Sequence, residues 1–239
     1  MRSHWNILRL WSAGHALSLA AFFGTALPGM AAECPITRWV QRQVNRPVGP
    51  GFTPSNVYRA HQSFPADWRR VAILPIAAAD NGAQSNAGEE TLRSAISREL
   101  GKQMAFEVVV LSPEAVKRIT GRARWHADDP IPPALLAYVR DQKACQGLIL
   151  PELTQYQAYG PLQIGWKMKL IDTREASVFW AFDQVFDSGV GSVATAARRF
   201  AQDHHAEVNA LGDYQLILSS PSRFGEYTLS AAFSTLPSR

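Results

Sequence analysis

Two aliphatic runs bounded by turn-forming residues, Arg70-Val-Ala-Ile-Leu-Pro-Ile76 and Gly147-Leu-Ile-Leu-Pro-Glu-Leu-Thr-Gln-Tyr156, constrain the fold more than any other feature of the chain. A short aliphatic run without alternation is the pattern of a strand buried on both faces. Helical periodicity follows the first run and precedes the second, and strands interleaved with helices in this way make an α/β domain.

Between the runs the punctuation is specific. A helix over about 88–104 places Leu92, Ala95, Ile96 and Leu100 on one face, and a second strand is predicted over 106–111. Ser112-Pro113-Glu114 then supplies a side-chain cap, a proline at the first helical position and an acid in the first turn of a helix ending near Gly121. A polar, proline-rich crossing leads to a helix carrying Leu135, Leu136 and Val139.

From residue 148 the pattern becomes a meander of three strands, 148–156, 163–172 and 177–187. In the middle one Ile164, Trp166, Met168 and Leu170 alternate with Gln163, Gly165, Lys167 and Lys169, which predicts one apolar and one wet face. In the last one Phe179 is expected to point opposite to Trp180 and Phe182, so that a second face meets the arm, the C-terminal segment or another subunit. A long helix follows over about 190–211. The reading is a single αβα-type layered domain over 70–212, with a mixed sheet of about five strands in βαβααβββα order. An extended, proline-punctuated arm (32–69) precedes it and a tail (213–239) follows. The tail is read as a strand at 214–218 and a helix from Pro221, packing on the domain. Phe224, Tyr227 and Phe233 are its candidate contact surface.

The first thirty-one residues read as a secretory signal peptide: Arg2, His4 and Arg9 precede an apolar run from Ala16 to Leu27 and the small-residue stretch ending at Ala31-Ala32. The apolar run falls short of the ~20 residues that span a bilayer, so no transmembrane span is expected after processing. Glu33 beside Cys34 argues against acylation of that cysteine. Removing the leader lowers the formal charge from +4 to about +2, and no lysine and arginine run forms a polybasic patch, so nucleic acid is excluded as a partner. Cys34 and Cys145 survive processing, and an exported chain permits either a disulfide between them or two unpaired thiols.

Reactive constellations are weak. His204 and His205, with Asp203 and Glu207, resemble a ligand cluster, but adjacent helical histidines project about 100° apart and grip one ion poorly. His204 therefore reads as a partly buried structural residue on the apolar stripe. Trp125-His126-Ala-Asp128-Asp129 reads as a solvated connection, and Asp183 and Asp187 lie some ~13 Å apart along one strand, too far to act on one bond. No serine sits in a glycine-flanked elbow and no glycine loop is built for phosphate. The sequence assigns no catalytic residue, cofactor or metal.

The order of strand with Ala-Ile-Leu-Pro-Ile, capped helix, strand, helices, then Gly147-Leu-Ile-Leu-Pro-Glu-Leu-Thr-Gln-Tyr, Lys169-Leu-Ile-Asp and Val178-Phe-Trp-Ala resembles a superfamily of bacterial periplasmic and outer-membrane lipoprotein domains. It includes the curli secretion-channel lipoprotein, the Pel accessory lipoprotein, the activator lipoprotein of penicillin-binding proteins and the N-terminal domain of the Tol propeller protein. The resemblance covers about residues 70–200. It implies a non-catalytic accessory or assembly role in the periplasm, with self-association or an envelope protein as partner and peripheral contact with the outer membrane. Export, secretion and polysaccharide-related scaffolding are the roles it covers. Two departures stand out: the acylated cysteine is unsupported, and no long alternating hairpin is present to cross a membrane. Two other readings are a regulator docking on a cell-wall synthase and a periplasmic hydrolase in which His126, Asp128 and His204 converge.

Overall fold

The computed structural model describes residues 47–79, 82–102, 106–204 and 213–239. The expected leader and its cleavage site, Cys34, His205 and Glu207 lie outside them. The strands are β1 (Val57–Arg59), β2 (Arg70–Ile73), β3 (Ala77–Ala78), β4 (Glu107–Val110), β5 (Gly147–Gln157), β6 (Gln163–Asp172) and β7 (Val178–Asp187). The helices are α1 (Ala83–Lys102), α2 (Pro113–Thr120), α3 (Pro133–Ala137, running into a π-turn over Tyr138–Gln142), α4 (Gly191–His204) and α5 (Pro221–Phe233).

The mixed α/β class read from the sequence holds. The sheet runs β1-β7-β6-β5-β2-β4, with β3 also on β5, and it does not close. β2 lies parallel to β4 and β5, while β5, β6, β7 and β1 are antiparallel. Seven strands replace the expected five or so because β1 and β3, three and two residues long, are too short to carry periodicity.

Two cores flank the sheet. The larger packs Leu92, Ile96 and Leu100 of α1, Phe200 of α4 and Phe224 and Phe233 of α5 onto Ile149, Trp166, Met168, Trp180 and Phe182. The smaller packs Val116 of α2 and Leu135, Leu136 and Val139 of the α3 segment onto Ala72, Leu148 and Leu150. The caps of α2 follow from its sequence: Ser112 Oγ accepts from the Ala115 N–H at 3.2 Å, and Gly121 ends the helix at φ 78°, a left-handed conformation that costs glycine nothing.

Three sequence readings need correction. Phe179 does not point away from Trp180: Leu170 pairs with Trp180 and Ile171 with Val178, so Phe179 is the extra residue of a bulge. It joins the same core, stacked on Phe64 at 5.3 Å and against Trp68 at 4.8 Å, both from the segment before β2. Residues Asp213–Leu218 form a 3₁₀ segment instead of a strand. Phe224, Tyr227 and Phe233 are at most 4% exposed and belong to the domain's own core, so they offer no surface to a partner.

Candidate functional surface

The smaller core covers only part of its sheet face. α2, α3 and the loop over 121–132 lie over β4, β2 and β5, and beyond them the face turns polar. Lys167 and Lys169 of β6 are partly exposed, Asp183 and Val185 of β7 are exposed, and Tyr58 of β1 is 55% exposed. Asn56, Tyr58, Lys167, Lys169 and Asp183 line a shallow depression of about 90 Å3 on this face.

The loop is tied to the face by ionic contacts that the alternation of β6 made available. Asp128 bridges Lys167 and Lys169, the latter at 2.6 Å. Hydrogen bonds from the two ammonium groups hold the Asp128 carboxyl down to about 2, and the same contact raises Lys167. Asp129 accepts from the His126 N–H at 3.0 Å and pairs with Arg122, whose guanidinium lies 4.2 Å over the Trp125 ring. Burial alone would raise the Asp129 carboxyl, and the His126 N–H and Arg122 outweigh it, so it is lowered.

Glu152 completes the tie. It is 9% exposed, and its two oxygens take the Ala127 N–H at 2.9 Å and His126 Nδ1 at 3.1 Å. Because an ionised carboxylate only accepts, Nδ1 carries the proton when His126 is neutral. Sequence reasoning missed Glu152; the signal was a lone acid inside the buried stretch from Gly147 to Leu153, which needs buried donors to be tolerated.

The convergence required of a hydrolase does not occur. His126 and Asp128 sit over one sheet face with their partners, while His204 ends α4, a helix of the other layer. His204 is exposed and not partly buried as expected; its ring stacks on Phe200 at 4.3 Å, and Nδ1 donates to the Phe200 carbonyl at 3.0 Å. Asp187 accepts from Gln163 and from the Gly189 N–H at 2.7 Å, a turn-stabilising role, and Asp183 is exposed. No group of three or more His, Cys, Asp or Glu able to hold a metal exists among the described residues. Cys145 is a buried free thiol donating to the Lys143 carbonyl at 3.4 Å, and burial pushes it up. No described helix is long and apolar enough to cross a membrane.

No protein-family model matches the chain, and no curated protein matches it. Solved structures are similar to it at low identity. The PelC dodecamer from Paraburkholderia phytofirmans is 13% identical, with a TM-score of 0.45 over 77% of this chain and 98% of that one. A lipoprotein from Neisseria meningitidis is 11% identical, with a TM-score of 0.38 over 59% of this chain and 99% of that one. The LpoB C-terminal domain from Salmonella enterica is 12% identical, with a TM-score of 0.31 over 49% of this chain and 81% of that one.

Proposed function

We propose that this protein is a non-catalytic accessory protein of the cell envelope, acting in the periplasm by assembly with copies of itself or with an envelope protein. The observation that carries the reading is the uncovered half of the sheet face. β7 and β1 present Asp183, Val185 and Tyr58 to solvent, whereas among the described residues the rest of that face lies under helices and a loop ion-paired to β6. A fixed face with an aromatic residue beside charged ones suits protein contact. The expected leader and the family resemblance support the location, and the separation of His204 from His126 and Asp128 by the sheet speaks against the hydrolase.

The test is site-specific photocrosslinking in the periplasm. A photoreactive residue in place of Tyr58 is expected to trap one discrete adduct, while the same residue in place of Glu114 on α2 traps none. Crosslinking at neither position, with the protein present and folded, would contradict the reading.

A further inference from the structure

A second recess lies at the end of the sheet far from β1 and β7, where the chain leaves its parallel strands. α1, which follows β2 and the short β3, packs on the larger-core face, and α2, which follows β4, packs on the smaller-core face. Parallel neighbours whose outgoing helices take opposite faces leave a crevice beyond their carboxyl ends, the usual ligand position in open α/β sheets. Here the crevice is a cavity of about 240 Å3. Ile73 and Ile76 from the β2 segment, Val110 and Leu111 from the β4 segment and Ile96 of α1 give it apolar walls, and Val110 is 62% exposed.

The cavity holds one buried acid. Glu89 of α1 lines it and is 4% exposed. A buried carboxylate needs partners, and both partners of Glu89 use the same oxygen: Oε1 accepts from Arg93 at 3.1 Å and from Arg124 at 2.7 Å. Oε2 has no hydrogen bond among the described residues, yet it is not sealed from solvent as Glu99 Oε2 is. In a residue this buried, that opening is the cavity it lines.

An acceptor in the wall of an apolar space matches a ligand with one donor on an apolar body. Charge narrows the choice. Two guanidiniums already offset Glu89, so a cation would sit beside Arg93 and Arg124 and an anion beside Oε2, which leaves a neutral donor as the match. Size and rigidity narrow it further. A cavity of ~150 Å3 takes up benzene, so this larger one has room for one ring with a second ring or a substituent. It stays below the ~300–1,000 Å3 of sites for drug-sized ligands. A rigid ring also enters without the loss of rotamer freedom that a flexible alkyl chain of equal volume would suffer.

We propose that this cavity binds a small neutral aromatic carrying one hydrogen-bond donor, of the indole or phenol class, with its ring among Ile73, Ile96 and Val110 and its N–H or O–H on Glu89 Oε2. The inference does not rest on the assembly reading, because the cavity and the Tyr58 face lie at opposite ends of the strand order.

The experiment titrates the folded mature protein with indole and with phenol, following backbone amide shifts, and repeats the titration with benzofuran and toluene, which keep the respective ring sizes and lack the donor. Saturable shifts at Ser97, Val110 and Leu111 are expected with at least one donor-bearing ring. Its donor-free counterpart should bind about ten- to a hundredfold more weakly, the worth of a hydrogen bond to a charged group. Glu89→Gln keeps the side-chain shape, and the arginines it releases are 57% and 44% exposed, so the variant should fold, with the denaturation midpoint as the check. In it the preference for the donor-bearing ring should fall about three- to tenfold, as a charged acceptor becomes a neutral one. Ser97→Phe fills the cavity with a ring of the protein's own and should abolish binding altogether. Absence of saturable shifts with both indole and phenol would overturn the proposal. Donor-free rings that bind as tightly as donor-bearing ones would overturn it too, as would binding that Ser97→Phe leaves intact. Saturation of these amides by a blocked tryptophan or tyrosine peptide, but by neither free ring, would overturn it in favour of a docked partner.

Discussion

Trp180 donates its indole N–H to Thr235 Oγ1 at 3.1 Å in a buried contact that joins β7 to the turn after α5. Trp166 makes the same kind of bond to Thr228 at 3.0 Å from β6 to α5. Two tryptophans of the meander thus depend on hydroxyls of the C-terminal segment, which makes that segment part of the core. Thr235→Val keeps the shape and orphans the indole N–H, so a loss of about 1–3 kcal/mol is expected from urea denaturation. Phe233→Ala should cost more, about 3–5 kcal/mol, because it empties a fully buried site. Midpoints unchanged by either variant would show that the tail is dispensable.

Gly225 marks where α5 meets α1. A Cβ there would fall 2.1 Å from Leu92 Cδ2 and 3.7 Å from Ile164 Cδ1, and Leu92 is 0% exposed. Gly225→Ala gains about 1 kcal/mol of helix propensity and overpacks the contact by about 1–3 kcal/mol. A net loss of stability is expected, and the same substitution made in a Leu92→Ala background should cost nothing further. A stabilised single variant would refute this close approach.

The tie between the loop and the sheet predicts a graded response. Glu152→Ala removes the acceptor of the buried Ala127 N–H and the partner of His126, for an expected loss of about 1–3 kcal/mol. Hydrogen exchange at Ala127 should accelerate more than global unfolding explains. Exchange unchanged at that amide would mean the loop is held by other contacts.

Asp128 should leave an acid-limb signature. Its folded carboxyl titrates at about 2 against an ordinary 3.8, a depressed value, so its contribution is fully present above about pH 4 and is lost as pH falls toward 2. The side chain is 61% exposed and screened by solvent, which caps the contribution at about 1 kcal/mol. Carboxyl NMR titration of Asp128 reads the value directly, and high salt should move it upward. An Asp128 midpoint at the ordinary value would show that the two lysines do not hold it.

His204→Leu is expected to keep the fold, because an exposed ring stacked on Phe200 is replaced by another apolar group, with a change of about 0.5 kcal/mol either way. An unfolded variant would show that His204 carries structure its surroundings do not account for.

Much of the architecture was legible because its signals are local. Ser112, Pro113 and Gly121 bracket a helix of eight residues, and the alternation over Gln163–Asp172 is a complete strand pattern. The short β1 and β3 were not legible, since three and two residues carry no periodicity and exist only through β7 and β5. The turn of Phe179 into the main core was hidden for another reason: one inserted residue in β7 inverts facing, and only the register with β6 reveals it. The face that the proposal uses is non-local throughout. Asp128 meets Lys169 across 41 positions, and His126 meets Glu152 across 26. The alternating lysines gave the wet side of β6 without naming what would sit on it.

The central claim is that this protein works by assembly, and the most direct measurement is the solution mass of the periplasm-extracted mature protein by light scattering, with a non-reducing mass spectrum of the same sample. A discrete species of several chains, or a stable complex with an envelope protein, is expected, and Tyr58→Ala with Val185→Lys should reduce it to a folded monomer. The spectrum also reads leader removal and the state of Cys34 and Cys145. A monomer in complex with nothing across the accessible concentration range, unchanged by those substitutions, would contradict it.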